Sequence, residues 1–297
     1  MKKGGLTETG QVTRRAKHRW FDAPNTVGFT VIEVMIVLAV TGMLFVAAAV
    51  MIAGRQNRTA FEQAIQDIQA QIRQTLNEVS VGYYPNTSNF QCTGAGSPTI
   101  SAGAAAQGSN NDCVFVGKVM QFRVSDTDPE QYVTYTLAGL KRGGPGAADT
   151  ASISEARPVA IAPSTSHPAW PDNSVKKTLR SGLRTERMWY NTGAADQPIG
   201  AVAFTTYGAA AAITPSVPQV HIIPIATTTI NATESATTQI MNSDGDNRIA
   251  TSPINPSRGV NICFAGTGIN KSGLITIGGT GSREVSVSLS IRNGTAC

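Results

Sequence analysis

The longest apolar run in the chain extends from Phe29 to Ala53, about 25 residues that contain one charged side chain, Glu33. An α-helix of this length is long enough to cross the hydrocarbon core of a bilayer. A single carboxylate at the bilayer centre costs about 2.5 kcal/mol or more, so such a residue by default has a function and needs a partner. The pattern therefore predicts a membrane-spanning helix in which Glu33 has a specific role.

A second helical pattern follows directly, past Gly54. Its apolar residues recur at spacings of three and four, which is typical of one face of an amphipathic helix. They are Phe61, Ala64, Ile65, Ile68, Ile72, Leu76 and Val79. The opposite face is polar. We expect a single helix from about Phe29 to Val81, roughly 80 Å long, which ends before the segment Tyr83–Asn86.

The middle of the chain predicts β-strands separated by connections rich in Gly, Pro and Ala. Val114–Val124 and Tyr132–Leu137 are expected to pair. Residues 94–111 are expected to form an exposed loop, and residues 139–175 a long connection with a short edge strand at Pro158–Ala162.

Two further strands are predicted at Ala201–Tyr207 and Val217–Ile225. The second contains Pro218 and Pro224, which lack the N–H that a central strand must donate. This strand is therefore expected at the edge of a sheet.

The C-terminal segment has the clearest strand pattern. Glu284–Arg292 alternates strictly between polar and apolar residues, so its apolar side chains share one face. Together with Leu274–Ile277 and Val260–Phe264 it forms three predicted strands, which can cover the apolar stripe of the helix. The expected fold class is α+β: a long N-terminal helix packed on an antiparallel β-sheet, with large loop insertions.

Positive charge is concentrated before the apolar run. Residues 1–28 contain six Lys or Arg against Glu8 and Asp22, a balance of +4 in a chain whose formal charge is +5. The remaining chain is thus nearly neutral. The basic pI of the whole chain comes mostly from residues 1–28, so it argues little for nucleic-acid binding. A basic flank keeps its side of an apolar helix in the cytoplasm, so the chain after Ala53 is expected to face outward.

The segment Gly28-Phe29-Thr30-Val31-Ile32-Glu33 at the head of this run resembles the class III signal of type IV pilins and type II secretion pseudopilins. In that family a prepilin peptidase removes a basic leader after the glycine, the new N-terminal Phe is N-methylated, and the glutamate guides assembly. The resemblance covers Gly28 to about Val81. It implies cleavage between Gly28 and Phe29, methylation of Phe29, and pairing of Glu33 with the Phe29 amine of a neighbouring subunit. A signal anchor with an accidental Glu33 is the alternative.

The resemblance implies a division of the chain into a leader that is removed (1–28), a transmembrane or filament-core half of the helix (29–53), an amphipathic half (54–82) and a β-rich extracellular headpiece (83–297). The expected function is that of a structural subunit of a type IV pilus-like filament, whose headpiece mediates adhesion, motility or uptake. A type II secretion pseudopilin and a membrane-anchored surface-binding or DNA-uptake protein are the alternatives.

The implied partners are other pilin subunits, the prepilin peptidase, the pilus assembly platform and its ATPase. The cytoplasmic (inner) membrane would hold the single-pass precursor, and the assembled pilus would be extracellular. Assembly of this kind is packing, so no enzymatic activity and no cofactor are expected.

Four cysteines follow the apolar run. In an oxidising compartment an even number predicts two disulfide bonds, for which three connectivities exist. Local pairing is favoured: Cys92 with Cys113, which bracket a Gly- and Ser-rich segment, and Cys263 with Cys297, which bracket a predicted hairpin.

Candidate chemistry is sparse. Asp244 and Asp246 have the oxygen density of a calcium loop but lack the distal Glu of an EF-hand, so a plain β-turn is favoured over a calcium site. The three histidines are scattered and there is no CxxC motif, which argues against another metal site. No P-loop, GxSxG or HExxH motif is present.

One basic cluster lies near aromatic residues, and it could contact DNA or an acidic polysaccharide. Glu186 interrupts it, so a solvated helix or loop face is the favoured interpretation. The cluster comprises Lys176, Lys177, Arg180, Arg184 and Arg187, followed by Trp189-Tyr190.

Overall fold

The structure is a computed structural model. It describes residues 28–83, 90–94, 98–103, 113–122, 128–142, 148–150, 152–161, 174–191, 193–206, 220–225, 259–278, 285–294 and 297. The chain divides into two compact units, Met1–Ile52 and Ala53–Cys297. The fold is α+β, as expected, and most of its regular structure is antiparallel sheet. The calcium candidates Asp244 and Asp246 lie outside the described residues.

A single helix, α1, spans Val31–Ser80 and is 50 residues long. It contributes to both units and continues through Gly54. Its C-terminus is closed by Gly82, which has a φ of 70°. The Gly82 N–H donates to the carbonyl of Val79, and the Tyr83 N–H donates to that of Glu78. This is a Schellman motif, in which glycine supplies the left-handed conformation that stops the helix.

Among the described residues, a short helix and thirteen strands accompany α1. The helix, α2, is Ile153–Ala156. The strands are β1 (Phe90–Gly94), β2 (Pro98–Ala102), β3 (Cys113–Phe122), β4 (Gln131–Leu140), β5 (Val159–Ala160), β6 (Ser174–Thr178), β7 (Leu183–Asn191), β8 (Asp196–Pro198), β9 (Ala201–Thr205), β10 (His221–Ile225), β11 (Val260–Gly266), β12 (Lys271–Ile277) and β13 (Val287–Asn293).

In the part of the chain that the structure describes, these strands form three antiparallel sheets. A six-stranded sheet has the order β10-β9-β3-β4-β5, with β6 also paired to β4, and a five-stranded sheet has the order β13-β12-β11-β7-β8. Strands β1 and β2 form a separate hairpin. The predicted pairing of β3 with β4 is confirmed, as are the edge positions of β5 and of the proline-containing β10. The three predicted C-terminal strands are present as β11, β12 and β13.

Two sequence-based predictions are wrong. Residues 98–102 are not loop but strand β2, whose Ile100 is buried, because the adjacent Cys92–Cys113 bridge holds the hairpin against β3. The basic cluster was predicted as a helix or loop face, but Lys176 and Lys177 lie in strand β6 and Arg184 and Arg187 in strand β7, and only Arg180 lies in the turn between them. A β-bulge between Cys263 and Phe264 shifts the register opposite β7 and breaks the alternation by which the strand would have been recognised.

The apolar stripe of α1 is the centre of the core. Its residues from Phe61 to Val79 form one buried cluster with side chains of both large sheets. Packing is closest at Gly273 of β12, where a Cβ atom would lie 1.8 Å from Cδ1 of Ile65. The alternating residues of β13 behave as predicted: Val287 is buried, and Leu289 packs half-buried against the same cluster.

Polar contacts on both borders of this stripe attach α1 to the sheets. The helix has three carboxylates after Gly54. Glu62 Oε1 lies 2.5 Å from Nζ of Lys271 in β12, and Glu78 Oε2 lies 2.5 Å from Nζ of Lys118 in β3. The third, Asp67, lies 3.9 Å from Arg180, in a pair that is largely exposed.

The Lys118–Glu78 pair is the most sheltered of the three, since the Lys118 side chain is only 6% exposed. Removing Glu78 would take the ion-pair partner away from a largely buried ammonium group, which is costly. On the other border, Gln69 Nε2 and Arg73 Nη2 both donate to the carbonyl of Val287, at 3.1 and 2.9 Å. Both bonds end on one backbone carbonyl of β13, the edge strand of the five-stranded sheet, and so attach α1 to that edge.

Two disulfide bonds join Cys92 to Cys113 and Cys263 to Cys297. This is the local pairing that the sequence favours. The first attaches the β1–β2 hairpin to the start of β3, and the second attaches the C-terminal residue to β11.

Replacing Cys92 and Cys113 together by Ser is expected to lower the free energy of unfolding by about 3 kcal/mol, and replacing Cys263 and Cys297 by about 4 kcal/mol. Cross-links over separations of 21 and 34 residues restrict the unfolded chain by about these amounts. Each double variant should keep the other bridge. Denaturant unfolding with peptide mass mapping measures both effects, and a Cys113–Cys263 bridge would contradict the pairing.

Candidate functional site

The segment before α1 carries the candidate cleavage site. Gly28, Phe29 and Thr30 precede the first helical residue and all three are exposed. The Phe29 side chain is 84% exposed. A Cβ atom at Gly28 would meet no atom within 4 Å, so the fold itself does not require glycine at this position. The Gly28–Phe29 bond thus lies in non-helical, accessible backbone, as a peptidase substrate requires.

Thr30 and Glu33 form a capping box at the start of α1. Glu33 Oε2 accepts hydrogen bonds from the backbone N–H and the hydroxyl of Thr30, at 2.9 and 3.0 Å, and the Glu33 N–H donates to the Thr30 hydroxyl at 3.3 Å. Because the first N–H groups of a helix lack internal partners, this reciprocal arrangement stabilises the helix start.

The capping role was missed by the sequence reasoning, although the Thr-x-x-Glu spacing is its known signature. Glu33 therefore has a partner within its own chain before any neighbour binds. One of its oxygens makes both contacts with Thr30. The carboxylate is exposed, and its negative charge is not balanced by a cation in these bonds.

The apolar surface behind the capping box is uncovered. Among the described residues, α1 is the one helix long and apolar enough to cross a membrane, and none of its most apolar stretch is buried. Every residue from Val31 to Ile52 is exposed. Within this stretch Thr41 donates its hydroxyl to the carbonyl of Val37 at 2.8 Å, so its polar group needs no outside partner. Glu33 is left as the single charged group on this surface.

The basic cluster of the sequence is divided between β6, the turn that follows it and β7. Lys176 and Lys177 are neighbours on β6 and so point to opposite faces of the strand. Lys177 Nζ donates to Gln71 of α1 at 2.6 Å. Arg184 pairs with Glu186 at 2.7 Å.

The first of the two aromatic residues beside the cluster, Trp189, already has a partner. Arg187 lies over the ring of Trp189, 4.1 Å from its centroid. Trp189 is only 9% exposed, which leaves little of its ring for stacking on a base.

Three titratable groups after α1 have shifted pKa values, and each shift has a structural cause. Burial raises the pKa of Tyr132 to about 12 and lowers the pKa of His221. The hydrogen bond from Arg142, at 2.7 Å, lowers the pKa of Asp149. Within the described ranges, no group of three or more His, Cys, Asp and Glu side chains is placed to hold a metal ion.

Comparison with family models, curated proteins and solved structures finds no match for this chain. The N-terminal motif and the geometry around it therefore carry the functional proposal.

Proposed function

We propose that this chain is a pilin-like structural subunit, anchored in the cytoplasmic membrane as a precursor and polymerised into an extracellular filament after cleavage between Gly28 and Phe29. The helix–sheet arrangement of residues 53–297 is then the pilin-like headpiece. The partners are other subunits of the same kind, the prepilin peptidase, and the assembly platform with its ATPase.

The observation that carries this proposal is the uncovered apolar surface of α1. An exposed surface of this size requires a cover, which lipid supplies before assembly and neighbouring helices supply afterwards. The lone Glu33 at its head fits the second environment, because a carboxylate in an apolar bundle is costly unless it meets a cation. Cleavage after Gly28 creates such a cation at Phe29 of every subunit.

Cleavage is tested by expressing the chain with a cognate prepilin peptidase. The wild-type chain is expected to lose residues 1–28 and to begin with N-methylated Phe29. Gly28→Val should remain uncut, because its branched side chain crowds the peptidase site while the fold around position 28 has room for it. Gly28→Ala is the matched control and should retain part of the cleavage.

Intact-mass measurement of the membrane fraction gives the result directly. An uncut wild-type chain, or a cut after Ala53, would contradict the pilin proposal. A full-length, uncut chain that still displays its headpiece on the surface would favour a membrane-anchored binding protein instead.

A further inference from the structure

The turn of α1 that follows the apolar run is exposed on every side. Residues 55–59 are all exposed, and five consecutive helical positions cover the whole circumference of a helix. Burial against the sheets begins only at Phe61, whose side chain is 0% exposed. The headpiece therefore leaves residues 55–59 uncovered, and we call them the basic turn because they include Arg55 and Arg58.

The basic turn carries two positive charges and no negative ones. Arg55 and Arg58 are three positions apart, so their side chains project from the same side of the helix. The chain has no Asp or Glu between Glu33 and Glu62, and Glu62 pairs with Lys271 of β12 at 2.5 Å. Among the described residues, neither guanidinium group has an ion-pair partner. Both charges are thus available to a ligand outside the chain.

The position of the basic turn along α1 indicates which ligand lies beside it. The apolar run ends at Ala53 and is long enough to span the hydrocarbon core, so the residues that follow Ala53 enter the headgroup layer. This layer is about 5–8 Å thick on each side of a bilayer. For a helix along the bilayer normal, Arg55 and Arg58 lie about 3 and 8 Å beyond Ala53, and Phe61 about 12 Å. In the anchored chain both guanidinium groups therefore lie at the depth of the lipid phosphates.

We propose that Arg55 and Arg58 bind the phosphate groups of anionic phospholipids on the outer side of the cytoplasmic membrane. The inference rests on the proposed function, of which it uses only the membrane anchor. Charge complementarity supports it, because a guanidinium group presents a fork of N–H donors that matches two phosphate oxygens, and an anionic lipid surface attracts its charge. Bound in this way, the basic turn fixes the depth of α1 in the bilayer and holds the headpiece clear of the headgroups.

Photo-crosslinking at position 57 identifies the lipids beside the basic turn. Asn57 is exposed between the two arginines, so a benzophenone side chain can replace it without loss of packing. The full chain is reconstituted in phosphatidylcholine vesicles with a minor share of phosphatidylglycerol, and the lipid adducts are identified by mass. The ratio of phosphatidylglycerol to phosphatidylcholine adducts should exceed the ratio of the two lipids in the vesicles by about fivefold. This factor corresponds to about 1 kcal/mol for a basic residue near an anionic surface.

Charge removal tests the role of the two arginines. Arg55→Gln with Arg58→Gln should bring the adduct ratio to within about twofold of the lipid ratio, because the amide keeps donors but has no charge. Arg180→Gln with Arg292→Gln is the matched control, since both residues are exposed, neither lies on α1, and the chain loses the same charge. The control should stay within about twofold of the wild-type adduct ratio.

A benzophenone at Phe45 is the positive control for membrane insertion. Phe45 lies in the apolar run and is 75% exposed, so acyl chains surround it in any membrane-integral chain. Its adducts should follow the ratio of the two lipids in the vesicles, because the charge of the headgroup does not act at this depth.

The outcomes separate the headgroup contact from the function on which it rests. If Phe45 yields lipid adducts but position 57 yields none, or yields them in the vesicle ratio, the headgroup contact is wrong and the anchor stands. The same holds if the enrichment survives Arg55→Gln with Arg58→Gln. A chain that yields no lipid adducts at Phe45 and that alkaline carbonate extracts from the vesicles would overturn the anchor, and with it the proposed function and the contact.

Discussion

Glu33→Gln is expected to lower the ratio of filament protein to membrane protein by about tenfold or more, while processed, folded chain accumulates in the membrane. A glutamine at this position keeps a carbonyl oxygen that can accept the two hydrogen bonds from Thr30, and Gln is an accepted member of the capping box. It lacks the negative charge that would meet the Phe29 amine of a neighbouring subunit. An unpaired ammonium group in an apolar bundle is costly, so assembly should fail although each subunit folds.

Glu33→Ala removes the charge and the cap together and should reduce the ratio at least as far. Neither substitution should change the stability of the headpiece, because Glu33 lies in the unit Met1–Ile52. Membrane insertion should become slightly easier once the polar group is gone. The measurement is quantitative blotting of sheared surface filaments and of membranes.

Thr30→Val is the control that separates the two roles of Glu33. It removes the hydroxyl that exchanges hydrogen bonds with Glu33 but leaves the carboxylate in place. Loss of such a cap costs about 1 kcal/mol at the helix start. If the charge is what assembly requires, the filament ratio should fall less than about threefold. If Thr30→Val and Glu33→Gln lower the ratio of filament protein to membrane protein equally, the role of Glu33 is capping. If Glu33→Gln leaves this ratio unchanged, the charge of Glu33 has no role in assembly.

Gly117→Ala should destabilise the headpiece by about 3 kcal/mol, the upper end of what an added methyl usually costs in a tightly packed site. A Cβ atom at position 117 would lie 2.1 Å from the carbonyl oxygen of Phe204. That oxygen belongs to the backbone of β9, so rotation of a side chain cannot relieve the overlap. Strands β3 and β9, which pair at this point, would have to separate in the centre of the six-stranded sheet.

Gly103→Ala is the matched control. There the nearest atom to the added Cβ is Cδ of Gln91, 3.3 Å away at the flexible end of a side chain. The expected change in the free energy of unfolding is within about 1 kcal/mol. Denaturant unfolding of the detergent-solubilised chain, followed by tryptophan fluorescence, measures both variants. Equal stabilities for the two would contradict the packing at Gly117.

The elements predicted correctly are those whose periodicity is unbroken. The stripe from Phe61 to Val79 defines its helix because seven residues hold the same face, and β13 is recognisable because its alternation is strict. Proline identifies β10 as an edge strand because a missing N–H has the same consequence in any fold. Such features are local, so they can be recognised without knowledge of the tertiary structure.

The elements that were missed depend on contacts between distant residues. Strand β7 pairs with β11, and the bulge between them interrupts the alternation of buried and exposed residues along β7. The β1–β2 hairpin contains few apolar residues and depends on its disulfide bond. At the candidate site cleavage after Gly28 stays a prediction, and the Thr30 cap was within reach of the same kind of reasoning from spacing. The pairing of Lys118 with Glu78 could not be predicted in this way, because the two residues are separated by 40 positions.

The attachment of α1 to the C-terminal strands has a consequence for the order in which the protein can fold. Glu62 is separated from its partner Lys271 by 209 positions, and Gln69 from Val287 by 218. The helix is therefore synthesised first but must wait for the last strands before its apolar stripe is covered. Contacts of such long range make folding slow, so we expect the core to close only after β13 has been synthesised. During that interval the stripe from Phe61 to Val79 is a surface to which a chaperone can bind.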